Sequence, residues 1–216
     1  MTGTVITKLI LCMLCGFGGG VQSQKTRTPD ERSVITAARV AKLDNEIFGP
    51  VYVTIGGKEK KIADGGQDTW IIERGRRLIY SGREGAGGFE NEGQSLHVYD
   101  PQTGTQRKIL SEYYMVVKVT EVTTSTKKTA LLVKMEDGGL GASYFSVVNP
   151  DRGEVLFRLW AKLSSRKGDV IVIDFYKEED WEKLSEDKNA KVLAYKHERY
   201  NLNAILKRQV IFNKHQ

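Results

Sequence analysis

One local pattern recurs along this chain, and it limits the folds that the sequence can form. An apolar strand, a polar turn and a second strand occupy residues 96–110 and again residues 145–159. Weaker copies of the same plan lie at residues 51–62 and 192–206, so about four hairpins follow one another roughly 48 residues apart. A regular spacing of this size is typical of architectures built from repeated supersecondary units.

The two best copies share their turn chemistry. Pro101 presets φ for a turn, Asp100 can accept hydrogen bonds from the following backbone amides, and Gly104 can adopt a positive φ. Asn149 and Gly153 repeat the roles of Asp100 and Gly104, 49 residues later. We therefore predict a tight turn between the two strands of each copy.

Strand-like runs account for most of the chain beyond residue 50. They are rich in Val, Ile, Tyr and Phe, and turn residues bound most of them, as is typical of β-strands. Two segments differ: residues 33–43 are compatible with a short helix or a strand, and the charged residues 178–188 favour a helix on the surface. The sequence therefore predicts an all-β domain with one helical insertion.

The segment that precedes the hairpin at residues 96–110 completes a unit of four strands. It contains a Trp-led strand, a Gly-Arg-Arg turn at residues 75–77, a second strand and a glycine-rich loop at residues 85–88. This unit resembles a blade of the TolB-type, WD-like β-propellers, best over residues 69–110 and more weakly over residues 116–207. The resemblance implies a small propeller-like repeat domain of about four units that binds other proteins through loops at the blade ends. The same hairpins are also compatible with an open curved sheet or a β-sandwich.

Residues 1–23 have the layout of a secretory signal peptide. The apolar run at residues 9–17 ends in three glycines, and small residues precede a cleavage site after Ser23. About nine apolar residues are too few to cross a bilayer, which needs about 20. We predict a secreted or periplasmic protein without a transmembrane span in the mature chain. A lipoprotein anchored at Cys15 is the alternative.

The remaining chain divides into a linker, residues 24–50, with a short helix or strand, and a repeat domain, residues 51–216. Both cysteines of the sequence, Cys12 and Cys15, lie in the signal segment, so we predict no thiol nucleophile and no thiolate metal site. The net charge of +6 is spread along the chain and favours solubility. Nucleic acid is not an expected partner, because no aromatic platform alternates with the cations.

Catalytic and metal-binding motifs are missing from the sequence. No Gly-x-Ser-x-Gly nucleophile elbow is present. The three histidines, His97, His197 and His215, do not share a metal-binding spacing. A strand follows each glycine-rich loop, whereas a phosphate-binding loop requires a helix at that point. We therefore predict no cofactor and no metal.

Charged turn and loop residues remain as candidates for binding. Glu90, Glu92 and Asp137 lie in or beside the glycine-rich loops, and paired carboxyls of this kind could serve a small glycan-active hydrolase or lyase. Cations cluster in the turns between strands, at Arg74, Arg76, Arg77, Lys127 and Lys128. The favoured prediction is a non-catalytic binding module that contacts another protein or an anionic envelope polymer. The hydrolase or lyase is the alternative, and a homodimer is possible if the units do not close into a ring.

Overall fold

The computed structural model describes residues 33–44, 46–84, 93–112, 115–136, 143–187 and 190–208. Strands make up 64% of the structure and two short helices interrupt them, which confirms the all-β class. Neither of the two helices within these ranges is long and apolar enough to cross a membrane. The predicted signal peptide and the residues Glu90, Glu92, Asp137 and His215 lie outside the described residues.

The first sheet contains six antiparallel strands whose order in space follows their order in the chain. One of them, β1, lies in the segment at residues 33–43 for which the sequence left helix or strand open. The strands are β1 (Ile35–Val40), β2 (Gly49–Ile55), β3 (Lys58–Ile72), β4 (Arg77–Glu84), β5 (Gly93–Asp100) and β6 (Thr105–Glu112).

Strand β3 has 15 residues and pairs with two different strands along its length. Its first half pairs with β2 and its second half pairs with β4, and the change occurs at Gly66. A Cβ atom at Gly66 would lie 2.2 Å from Cγ2 of Val51, so this close approach requires glycine. Apolar residues of β1 and β2 share a buried cluster with Leu78, Tyr80 and Tyr99 of the strands that follow. The hairpin β1–β2 thus packs over the face of β4 and β5 that points away from the second sheet.

The second and third sheets are also antiparallel meanders. The second consists of β7 (Met115–Thr123), β8 (Thr129–Glu136), β9 (Ser143–Asn149) and β10 (Glu154–Trp160). The third consists of β11 (Lys162–Lys167), β12 (Val170–Phe175) and β13 (Lys196–Asn201). Helix α1 (Glu178–Glu186) connects β12 to β13, and helix α2 (Leu202–Leu206) follows β13.

The three sheets pack face to face in chain order, with the second sheet in the middle. Strand β8 shows the arrangement, because Leu131 and Leu132 are both buried but belong to different apolar clusters. The cluster of Leu131 includes Ile79 of the first sheet, and the cluster of Leu132 includes Ile173 of the third. We call these contacts the first junction (first and second sheets) and the second junction (second and third sheets). Within the described residues none of the sheets is closed.

The predicted turn chemistry is confirmed in both of the best hairpins. The Asp100 carboxylate accepts a hydrogen bond from the Gln102 amide at 2.8 Å, and Gly104 has φ of 68°. The Asn149 side chain accepts a hydrogen bond from the Asp151 amide at 3.0 Å, and Gly153 has φ of 63°. The helix predicted within residues 178–188 is also present, as α1.

The hairpin predicted at residues 192–206 is wrong. A single strand, β13, is followed by helix α2 instead of a second strand. The Asn201 side chain caps this helix by accepting hydrogen bonds from two backbone amides of its first turn. Leu202, Ile205 and Leu206 then bury one face of the helix, so a 3.6-residue period takes the place of the predicted alternation.

Candidate functional site: the turn end

Five turns between consecutive strands meet at one end of the molecule, because antiparallel neighbours reverse direction and alternate connections fall on the same side. Thr129, which begins β8, donates a hydrogen bond to the Glu73 carboxylate of the first sheet at 3.0 Å. The Ser125 amide of the second sheet donates to the Asp169 carboxylate of the third at 3.0 and 3.1 Å. We call this region the turn end; its turns are residues 73–76, 101–104, 124–128, 150–153 and 168–169.

Arg77 lies at the centre of a polar network that joins the first two sheets. Its Nε donates to a Glu73 oxygen at 2.7 Å, and a terminal guanidinium nitrogen donates to Asp151 at 2.7 Å. The side chains of Arg77 and Glu73 are only 14% and 15% exposed, so this ion pair is largely shielded from water. The Glu73 amide in turn donates to both oxygens of Glu121 on β7, at 3.0 and 3.1 Å.

The network keeps both of its central partners charged. Burial by itself would raise the pKa of Glu73, but the hydrogen bonds and charge of Arg77, together with the Thr129 hydroxyl, hold that pKa below its ordinary value. Burial would likewise lower the pKa of Arg77, and the carboxylates of Glu73 and Asp151 raise it instead. Arg77 therefore holds the first junction together as a permanent cation.

An open groove of about 500 Å³ lies beside this network. Arg77, Asp100, Gln106, Arg107 and Asp151 line it. Arg107 is exposed and donates to the backbone oxygens of residues 150 and 151, at 2.7 and 3.1 Å, so its guanidinium bridges the first two sheets across the groove. The groove thus combines two cations with two carboxylates in fixed positions.

A buried phenol fixes the amide of Gln106 in the same groove. The Tyr80 hydroxyl donates to Oε1 of Gln106 at 2.6 Å. Burial raises the pKa of Tyr80 to about 12, so the hydroxyl keeps its proton at neutral pH and remains a donor. The polar lining of the groove is therefore held in place before any ligand arrives.

Exposed cations form the rim of the turn end. Arg74 and Arg76 lie in the turn between β3 and β4, and Lys127 and Lys128 lie in the turn between β7 and β8, so the structure brings the predicted cations to the same end of neighbouring sheets. Arg76 makes one long contact, from its Nε to the Glu73 backbone oxygen at 3.4 Å. Within the described part of the chain none of these four side chains has an ion-pair partner.

The histidines of the described ranges have structural surroundings. His97 on β5 stacks on the Tyr80 ring at 4.9 Å, and its Nε2 lies 2.6 Å from the Ser95 hydroxyl. His197 lies within β13, and its Nδ1 is 2.8 Å from a carboxylate oxygen of Asp174. The same ranges contain no group of three or more His, Cys, Asp or Glu side chains that could hold a metal ion.

Glu121 and Asp169, two carboxylates of the turn end, were not predicted as site residues from the sequence. Glu121 accepts hydrogen bonds from the turn of the first sheet, and Asp169 accepts them from the turn of the second. They lie 48 residues apart, which is the spacing of the hairpin repeat, and this spacing is the signal that could have identified them. Each fastens a turn of one sheet to the next sheet along the chain.

No protein-family model, curated protein or solved structure matches this chain. The functional conclusion therefore depends on the geometry and charge of its own residues. Among the sites predicted from the sequence, the cations of the turn end are the ones that the structure describes, and one of them, Arg77, lines a formed groove.

Proposed function

We propose that this chain is a secreted or periplasmic binding module without catalysis of its own, and that its turn end binds an acidic segment of a partner protein. The observation that carries the proposal is an imbalance at this end. Its carboxylates are engaged by internal hydrogen bonds, whereas Arg74, Arg76, Lys127 and Lys128 extend into solvent.

The imbalance gives the turn end a positive field although acidic residues are present. Arg77 balances the charge of one of the two carboxylates that it binds, Glu73 and Asp151, while backbone amides orient Glu121 and Asp169 without cancelling their charge. The rim cations together with Arg77, Arg107 and Arg152 outnumber these four carboxylates and Asp100, so the summed charge at this end is positive. An approaching acidic segment would therefore be attracted to the rim and oriented by it, with a strong dependence on salt.

The groove supplies the second element of the proposed site, which is a preorganised polar surface. Arg107 and Gln106 are held by contacts with other residues, so binding does not have to immobilise them. The face-packed meanders, with all five turns at one end, support the propeller-like interpretation, in which a rigid stack of sheets presents turns to a partner. In this proposal the partner contacts the rim with its acidic side chains and the groove with its backbone.

Binding of a labelled peptide of eight glutamates, with a peptide of eight glutamines as reference, tests the proposal by fluorescence anisotropy. Lys127→Glu together with Lys128→Glu should weaken glutamate-peptide binding about tenfold or more at low salt, because two attractive charges of the rim become repulsive. Lys177→Glu together with Lys191→Glu is the matched control, since these exposed lysines lie in the connection between β12 and β13, at the end of β12 opposite the turn end.

Equal weakening by both double variants would contradict the proposal, because it would show attraction to net charge alone. Equal affinity for the two peptides would contradict it as well. Turnover of a glycan that is lost in Glu90→Gln, Glu92→Gln or Asp137→Asn would favour the hydrolase or lyase instead. Binding of an acidic polysaccharide in preference to the peptide would favour an envelope polymer as the partner.

A further inference from the structure

A second groove lies between the second and third sheets, away from the turn end. Its volume is about 200 Å³, and it is bounded by the end of β8 and by the beginnings of β9 and β11. Three of its lining residues are lysines, Lys118, Lys134 and Lys162. Nothing in the proposed function uses this groove, and its residues belong to neither the rim nor the network at Arg77.

A β-bulge places Lys118 in the groove. In strand β7, Val116 is opposite Met135 and Lys118 is opposite Lys134, so Val117 is an extra residue without a partner. Val116 and Met135 belong to the buried cluster of the first junction. Residues two apart in a regular strand share a face, so without the bulge Lys118 would point into that cluster. The inserted residue turns Lys118 to the opposite face, towards the third sheet.

The bulge brings two like charges into direct opposition. Lys118 and Lys134 are cross-strand neighbours, and like charges in this position destabilise a sheet. Glu136 neutralises Lys134, with 2.5 Å between Nζ and Oε1. Lys118 has no acidic partner among the residues that the structure describes, and an excess of positive charge remains in the groove.

Lys162 adds a third cation at the border of the groove. Its neighbour in register on β12 is Asp174, whose carboxylate is already bonded to His197 at 2.8 Å. Lys162 itself is exposed and forms no ion pair with any other residue in the described ranges. The positive charge of the groove thus comes from two sheets.

The other residues that line the groove indicate which uncharged part of a ligand it would fit. The half-buried Leu163 supplies apolar surface backed by the buried Leu132 and Phe145, and Thr120 and Ser143 supply hydroxyl groups. Apolar surface beside hydroxyls suits a sugar ring, which has C–H faces and hydroxyl edges, and a volume of about 200 Å³ accommodates one such ring. Lysine ammonium groups suit a carboxylate or phosphate substituent on that ring.

We propose that this groove binds a small anionic ligand of monosaccharide size, with its carboxylate or phosphate between Lys118 and Lys134. The bound anion balances the charge of Lys118, the member of the pair that Glu136 does not neutralise. The sugar ring lies against the apolar side chains of β8, β9 and β11. The site is independent of the turn end, so either can exist without the other.

Isothermal titration with glucose 6-phosphate, glucuronate and glucose tests the proposal. At least one of the anions should bind and glucose should not, and the tighter anion identifies the charged group that the site prefers. Lys118→Gln should lower the affinity about tenfold or more, because one of the two main charge contacts is lost. Lys118→Arg should retain most of it. Lys58→Gln is the matched control, because it removes the same charge from an exposed lysine of the first sheet, which does not line this groove.

A thermal melt without ligand keeps the test interpretable. Relief of the repulsion with Lys134 should leave the melting temperature of Lys118→Gln unchanged or slightly raised, so lost binding would not reflect lost folding. The proposal would be overturned by unchanged affinity in Lys118→Gln, by equal losses in Lys118→Gln and Lys58→Gln, by glucose binding as tightly as the anions, or by no binding at all.

Discussion

The two junctions between sheets use the same polar contact in different surroundings. In the first junction, Glu121 accepts two hydrogen bonds from the Glu73 amide, at 3.0 and 3.1 Å. In the second, Asp169 accepts two from the Ser125 amide at the same distances. The first contact adjoins an ion pair that is only 14–15% exposed. The second adjoins the neutral side chain of Asn203, which donates to Asp169 at 2.6 Å near the surface.

This difference shows that a repeated geometry does not imply a repeated contribution to stability. A shielded ion pair is costly to break, because removal of one partner leaves the other charge poorly solvated. An exposed carboxylate that loses its partner is hydrated by water. We therefore expect the polar part of the first junction to matter more for folding than that of the second, although the apolar parts are alike.

The largest effects should come from the apolar parts, and they should be similar at the two junctions. Leu131→Ala opens a cavity in the first junction and Leu132→Ala opens one in the second, in adjacent residues of β8. Each should lower the free energy of unfolding by about 2–5 kcal/mol, measured by urea denaturation. A difference of more than about 2 kcal/mol between them would show that the apolar parts are unequal.

Removal of the central cation, Arg77, should show that the polar part of the first junction contributes more to stability than that of the second. Arg77→Ala leaves Glu73 shielded without its partner and should lower the free energy of unfolding by about 2–4 kcal/mol. Asp169→Ala removes the corresponding contact at the second junction and should shift the thermal midpoint much less, because that carboxylate is partly exposed and its loss leaves only neutral partners. Equal shifts of the thermal midpoint in the two variants would contradict the comparison.

The smallest expected effect is a difference in acid sensitivity. Because the pKa of Glu73 is lowered in the folded protein, its ionised form stabilises the fold above the ordinary value of 4.5, and this contribution is lost as pH falls through the lowered pKa. Glu73→Gln should therefore reduce the loss of stability between pH 5 and pH 3, taken as about the range of carboxyl titration. Hydrogen bonds from Ser125 also lower the pKa of Asp169, but from an ordinary value of 3.8, so Asp169→Asn should change stability less within that range. Urea denaturation across the range measures both variants.

Local rules account for the parts of this fold that the sequence predicted. Asp100, Gly104, Asn149 and Gly153 specify their turns through contacts within four residues, so the pattern alone was sufficient. The segment after Asn201 was misread because a strand pattern was extended over a capped helix, although the cap and the i, i+3, i+4 spacing of apolar residues were visible in the sequence.

Contacts between distant residues account for what the sequence could not predict. Arg77 was read as one of several surface cations, and its role depends on Asp151, 74 residues away. The orientation of Lys118 depends on a bulge that a one-residue shift in the pairing of β7 would abolish. Neither property is encoded in a local pattern, because both depend on which strands become neighbours.

The strand order of the sheets has a consequence for the order in which the chain folds. In every sheet each strand pairs with the next strand along the chain, so the meanders require the closure of local connections, the one through α1 between β12 and β13 included. Contacts between residues close in sequence form fast. A chain that is synthesised from its N-terminus can therefore complete its first sheet, including β1 and β2, before the residues of the third sheet are available. The Arg77 network and then the Asp169 contact would form as successive sheets arrive.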